Sequence, residues 1–126
     1  MLTEVACGIM FNKENKILMG LRPSNKEDAN YWEFPGGKRE KNETIEECLK
    51  REWKEELNLE IEIKNEIYSY VMHNKYKCRF FFGSIKNENS IIIREHSKID
   101  YVTKEQIKQM YIFPEDINVL NFLINC

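Results

Sequence analysis

The chain of 126 residues carries 19 basic and 21 acidic side chains, a formal net charge of −2, and is 42% apolar and 32% charged. That length fits one domain, residues 1–126, with a core of useful size. The composition excludes disorder and low-complexity repeats, and the charge balance excludes a basic field for nucleic acid; whatever binds is chosen by a local site.

Val5–Phe11 and Lys16–Leu21 are apolar β-type runs around the polar turn NKEN, a hairpin signal. RPSNKEDAN, residues 22–30, is a long polar loop of the kind that often carries function in a small domain. YWEF reads as a short aromatic strand stopped by Pro35. Gly36-Gly37 then reads as a turn, with backbone conformations that other residues resist. Thr44 is the expected N-cap of a helix, with Glu47 at capping-box spacing, and Asn58 its expected left-handed C-terminal cap.

Beyond the helix, LEIEI and EIYSYVMH read as two strands, KYKCRFFFGSI as another across an HNK turn, and Ile99–Val102 as a late short strand. TKEQIKQM and PEDINVLNFLI read as closing helices, the second with Pro114 in a permitted first-turn position. Mixed strands with a central and a C-terminal helix predict an α/β (α+β) fold. Cys7, Cys48, Cys78 and Cys126 show no paired or zinc-like spacing. No signal-peptide pattern or bilayer-length apolar run occurs, so a cytoplasmic protein with reduced thiols and no membrane partner is expected.

The central helix poses the functional question. Wound at about 100° per residue, Ile45, Cys48, Leu49, Trp53 and Leu57 form an apolar arc, with Glu47, Lys50 and Lys54 opposite. Glu52 and Glu56 fall inside that arc and Glu55 at its edge. The bland reading is an amphipathic helix whose glutamates reach its wet rim. The sharper one is a cation site, because three converging carboxylates repel one another unless neutralised. Hard oxygen ligands suit Mg²⁺ or Mn²⁺, and the carbonyls of Gly36 and Gly37 lie close in sequence. Arg51 can reach Glu47 and Glu55, one turn either side.

Residues 37–59 resemble the Nudix box, G-x5-E-x7-R-E-U-x-E-E-x-G-U with U a bulky apolar residue. The match runs through Gly37, Glu43, Arg51, Glu52, Trp53, Glu55, Glu56, Asn58 and Leu59, with Asn58 in place of the last glycine. WEFPGGK, ending at Lys38, resembles the segment that leads into the box in MutT-like members. The resemblance implies an α/β/α sandwich with a mixed sheet, and hydrolysis of a nucleoside diphosphate linked to another group.

For this chain the resemblance implies a Mg²⁺- or Mn²⁺-dependent pyrophosphohydrolase, monomer or dimer, turning a nucleoside triphosphate and water into the monophosphate and pyrophosphate. The ions fall to Gly36, Gly37, Glu52, Glu55, Glu56 and Glu95. Glu52 or Glu95 is the base, and Glu43 with Arg51 an orienting pair. Arg22, Phe34, Lys38 and Asp116 fall to the substrate: Arg22 at phosphate, Phe34 for base stacking or core packing, Asp116 at the nucleobase. Ionised Asp116 only accepts hydrogen bonds, so it reads donors of guanine or the amino group of cytosine. Oxidised dGTP is the first expectation. CTP or 5-methyl-dCTP comes next, then dinucleoside polyphosphates, for which Tyr76 sits near a family tyrosine. A nucleotide sensor without catalysis is disfavoured by the intact charges.

Overall fold

The computed structural model describes residues 1–123. Cys126 and the expected end of the last helix at Ile124 lie outside the described residues. The described residues form seven strands: β1 (Thr3–Phe11), β2 (Ile17–Leu21), β3 (Trp32–Glu33), β4 (Gly36–Lys38), β5 (Ile61–Met72), β6 (Tyr76–Ile85) and β7 (Lys98–Val102). The helices are α1 (Ile45–Leu57), α2 (Lys104–Ile107) and α3 (Pro114–Ile117), with 3-10 turns at Glu88–Ser90 and Asn118–Phe122.

The strands make one mixed sheet in the order β3-β2-β1-β6-β5, with β4 also pairing β1 and β7 also pairing β2. β1 and β6 run parallel, from Thr3 opposite Tyr76 to Phe11 opposite Ser84. The other strand pairings are antiparallel. Alternation along β1 divides the core between the two faces. Ala6 and Met10 join Leu18, Phe81 and the apolar arc of α1, whereas Ile9 joins Met19, Phe34, Phe80 and the C-terminal segments. The result is the α/β/α arrangement expected from the resemblance.

The ends of α1 follow local chemistry. Thr44 Oγ1 accepts the Glu47 N–H, and the Glu47 carboxylate accepts the Thr44 N–H. Asn58 closes the helix in the left-handed region at φ 58°. Trp53, fully buried, donates from Nε1 to the Pro35 carbonyl at 2.8 Å and packs where Gly8 has no side chain. Truncating it to alanine should cost roughly 3–5 kcal/mol.

Three expectations change. The two strands after α1 are one, β5, because register shifts at Ile63/Asn65 and Glu66/Tyr68 absorb the break in its pattern. The closing helices are short: α2 has four residues and α3 passes into a 3-10 turn. Gly36-Gly37 is no turn but strand β4, opposite Cys7 and Ala6 of β1, and neither glycine has positive φ. Glycine is needed for clearance instead. A Cβ on Gly36 would overlap the Ala6 carbonyl, and one on Gly37 would lie 2.6 Å from Glu52 Oε2.

Candidate active site

A cavity of about 430 Å³ opens between the start of β1, the 22–28 loop, β4 and the turn after β5. Among its lining residues are Arg22, Phe34, Gly36, Gly37, Lys38 and Glu56, with Glu95 beside them. α1 supplies the carboxylates. Its apolar arc is pinned to the sheet, so residues 52 and 56 necessarily turn toward β4. Glu56 is 8% exposed. Glu52 and Glu55 stand outside the cavity lining, Glu55 with its side chain 59% exposed.

Arg51 organises this face. Its Nε and Nη2 each donate to Glu43 at 2.9 Å, while Nη1 reaches Glu52 at 2.9 Å and Glu55 at 3.2 Å. Nη2 also contacts the Lys38 carbonyl at 3.3 Å, tying the helix to β4. The paired guanidinium, helped by the Glu40 N–H, holds the Glu43 carboxyl at about 2. Of the two glutamates one turn away, Glu55 is met and Glu47 is not, since Glu47 is spent on the helix cap.

Glu56 is the electrostatic anomaly. Burial, then the hydrogen bond and charge of Glu52, then Glu33 and Glu95, push its carboxyl far above the ordinary range, to about 10. Among the described residues, the basic group in ion-pair range of it is His96 Nε2, at 3.9 Å. A buried oxygen-rich group short of positive charge fits a hard divalent cation. The Gly37 carbonyl faces the same helix, reached by Cys48 Sγ at 3.5 Å. The side chains whose possible ligand atoms gather within 4.8 Å of one another are, however, Glu33, Glu56 and His96 among the described residues. Of the residues expected to hold ions, Glu56 alone belongs to this group.

Glu95 reaches the cavity through the segment after the Glu88–Ser90 turn. Ile92 N–H donates to the Leu57 carbonyl and Arg94 N–H to the Glu56 carbonyl, both at 2.9 Å. Arg94 Nη1 also donates to the Lys54 and Glu55 carbonyls, at 3.1 and 3.3 Å, where a cation complements the helix terminus. This clasp to the end of α1 sets residues 95 and 96 beside Glu56.

The substrate-side residues divide. Arg22 lines the cavity, tied by Nε to the Glu27 carbonyl at 2.9 Å and by Nη1 to Glu33 at 3.0 Å. Lys38 stands 5.2 Å from the Tyr76 ring centroid, and both residues line the cavity. Phe34 is 3% exposed and edge-on to Phe80, a packed ring that offers the cavity little of its face. Asp116 is 7% exposed and does not cap α3, which has no side-chain cap. It accepts the Tyr70 hydroxyl at 2.7 Å, and burial raises its pKa to about 6. Burial, and after it the charge of Asp116, raises the pKa of the Cys7 and Cys78 thiols, and both of these residues line the cavity.

Glu33 and Arg94 are candidate site residues that no sequence motif singles out, and His96 is one that reads from sequence as solvated or structural. A charged residue within YWEF was the available signal for Glu33, since an acid in an otherwise aromatic strand needs a partner. His96 reads as a lone histidine until the fold brings Glu33 to it at 2.7 Å.

Residues 1–120 match the NUDIX domain family. The chain is 32% identical to the 8-oxo-dGTP diphosphatase of Buchnera aphidicola subsp. Schizaphis graminum (strain Sg) over 121 residues, 95% of this chain and 84% of that protein. It is 28% identical to the CTP pyrophosphohydrolase of Escherichia coli (strain K12) over 127 residues, 94% of this chain and 89% of that protein. The solution structure of the E. coli ORF135 protein is similar at a TM-score of 0.79 with 26% identity, covering 98% of this chain and 89% of that one. Since the family match takes in the box, the cavity loop and the Glu95 segment, the chain belongs to the NUDIX family of hydrolases.

Proposed function

We propose that this hydrolase converts a nucleoside triphosphate and water, with Mg²⁺, into the nucleoside monophosphate and pyrophosphate, with 8-oxo-dGTP as the favoured substrate. The observation that carries the reading is Glu56: a buried carboxyl among Glu52, Glu33 and Glu95, on the wall of a cavity also lined by Arg22, Lys26 and Lys38. Anionic oxygens and cations lining one cavity suit a polyphosphate bridged by divalent ions.

Glu52, Glu55 and Glu56, with the Gly36 or Gly37 carbonyl and Glu95, would hold those ions, whose chemistry is to neutralise the phosphates and the charge that grows in the transition state. Arg51 locks Glu43 and Glu52 in place through its fork of hydrogen bonds. Glu52 or Glu95 accepts the proton of the attacking water; Glu95 is exposed at the cavity and Glu52 is already engaged by Arg51. Arg22 and Lys38 bind phosphate oxygens, and Asp116, through its second oxygen, meets donors on the base.

A second reading, CTP or 5-methyl-dCTP, is favoured by that same carboxylate. Once ionised, Asp116 accepts from the cytosine amino group as readily as from guanine, and a 28% identical relative is a CTP pyrophosphohydrolase. The test is a comparison of kcat/KM for 8-oxo-dGTP, dGTP, CTP and 5-methyl-dCTP with Mg²⁺. Preference for 8-oxo-dGTP supports the first reading, preference for the cytosine nucleotides the second, and no hydrolysis of any of them removes both.

A further inference from the structure

Glu33 joins two residues of opposite character. Its Oε1 accepts from Arg22 Nη1 at 3.0 Å, and its Oε2 meets His96 Nε2 at 2.7 Å. Arg22 stands on the long polar loop with its side chain 29% exposed, whereas that of His96 is 2% exposed. The imidazole lies against Gly20 of β2, which pairs with Glu33 on one side and Ile99 on the other. A Cβ on Gly20 would come within 2.5 Å of the ring Cδ2 and 2.7 Å of Nε2, so the niche exists because residue 20 has no side chain.

The ring is expensive to bury. Nδ1 is sequestered with no hydrogen-bond partner among the described residues, a debit that native cores usually avoid. The polar contact it makes within hydrogen-bond distance is with Glu33; Glu56 Oε1, at 3.9 Å, is beyond that range. Glu33, fixed at one oxygen, then fixes the guanidinium at the other. Arg22 is held by Nε and Nη1, which leaves Nη2 for a ligand oxygen. Immobilising a long, rotamer-rich side chain before binding removes an ordering cost that otherwise falls on affinity.

We propose that His96 is a positioning residue for substrate binding: it anchors Glu33, Glu33 sets Arg22, and Gly20 is the vacant position that admits the ring. The proposal rests on the reading of the cavity as a nucleoside triphosphate site in which Arg22 meets phosphate.

The test compares the intact chain with His96→Phe, His96→Gln, Gly20→Ala and Glu33→Gln. His96→Phe keeps a ring in the niche but has no nitrogen for Glu33. It should raise KM by about tenfold, the scale of a lost hydrogen bond to a charged group, with kcat within about threefold and Tm little changed. His96→Gln, whose amide donates from a similar reach, should recover most of KM. Gly20→Ala should reproduce the KM defect, and combining it with His96→Phe should add little, because both break one link. Glu33→Gln makes the same break should the ring variants not fold.

A KM unchanged in folded His96→Phe and Glu33→Gln overturns the proposal. So does a fall in kcat at constant KM, which would put His96 in the service of Glu56. The Arg22 Nη1–H signals in a 1H–15N spectrum at low temperature, observed without substrate, should be sharp in the parent and in His96→Gln and broadened in His96→Phe. An identical signal in all three overturns the anchoring even if the parent hydrolyses no nucleotide. Inactivity of the parent with a broadened His96→Phe signal instead rejects the nucleotide reading alone.

Discussion

The adjacent glycines of β4 should separate stability from catalysis. In Gly37→Ala the new methyl lies 2.6 Å from Glu52 Oε2 and 2.7 Å from Oε1, against about 3.4 Å for ordinary contact. The obstruction is a side-chain terminus, so the strand survives and the Glu52 carboxylate, whose Cδ is the nearest atom, yields by about 1 Å. Displacement of a catalytic group by about 1 Å can cost up to about 100-fold, so kcat should fall by about 10- to 100-fold. Gly36→Ala meets the Ala6 carbonyl, part of the β1–β4 pairing, which cannot rotate aside. Its cost should be near the upper end of overpacking, about 3 kcal/mol, or a Tm lower by about 10 °C for a domain this size. Urea titration with m unchanged, beside steady-state pyrophosphate release, measures both quantities. A Gly37→Ala protein with parental kcat, or one unfolded as badly as Gly36→Ala, would refute the claim that residue 37 is small on account of Glu52.

The other predictions concern charge. Glu55→Gln and Glu56→Gln should each lower kcat by at least about tenfold, seen in the same release assay. Glu56→Gln should also raise Tm in a chelator, since a neutral amide replaces a carboxyl crowded by Glu52, Glu33 and Glu95. Arg51→Ala should reduce turnover by about 10- to 100-fold while the circular dichroism spectrum keeps its folded form; full activity or outright unfolding contradicts an orienting role. Burial first of all raises the pKa of Asp116 from 3.8 to about 6, so its contribution is fully present below pH 3.8 and lost as pH rises through 6. Asp116→Asn keeps an acceptor for Tyr70 and should be the more stable protein above pH 7 by up to about 3 kcal/mol, with the gap closing toward pH 4 in chemical denaturation. It should also shift the ratio of kcat/KM for 8-oxo-dGTP over CTP by more than about tenfold; a constant ratio rules Asp116 out of base selection.

Local chemistry was the legible part. The cap at Thr44, the left-handed Asn58 and the arc that buries Glu56 all follow from neighbours within a few residues, and α1 spans Ile45–Leu57 as its pattern indicates. The Glu43–Arg51 pair was accessible because the box fixes its spacing. What escaped notice depends on distant partners: Glu33 and His96 are 63 residues apart and meet only when β2, β3 and β7 pair. Arg94 finds its role in carbonyls 40 and 39 positions earlier. The reason for Gly36 and Gly37 was equally hidden, since no local pattern distinguishes a glycine needed for a turn from one needed for clearance. β5 reads as two strands because a bulge interrupts alternation without ending a strand.

As proposed, Glu52, Glu55 and Glu56 hold the ions that make this cavity a pyrophosphohydrolase site for nucleoside triphosphates. The most direct test is hydrolysis of 8-oxo-dGTP with Mg²⁺ in H₂¹⁸O, followed by mass spectrometry of both products. Attack at the β-phosphorus predicts the monophosphate unlabelled and one ¹⁸O in pyrophosphate, with neither product formed when Mg²⁺ is chelated. Release of orthophosphate and a diphosphate, or unchanged turnover in the chelator, would contradict it.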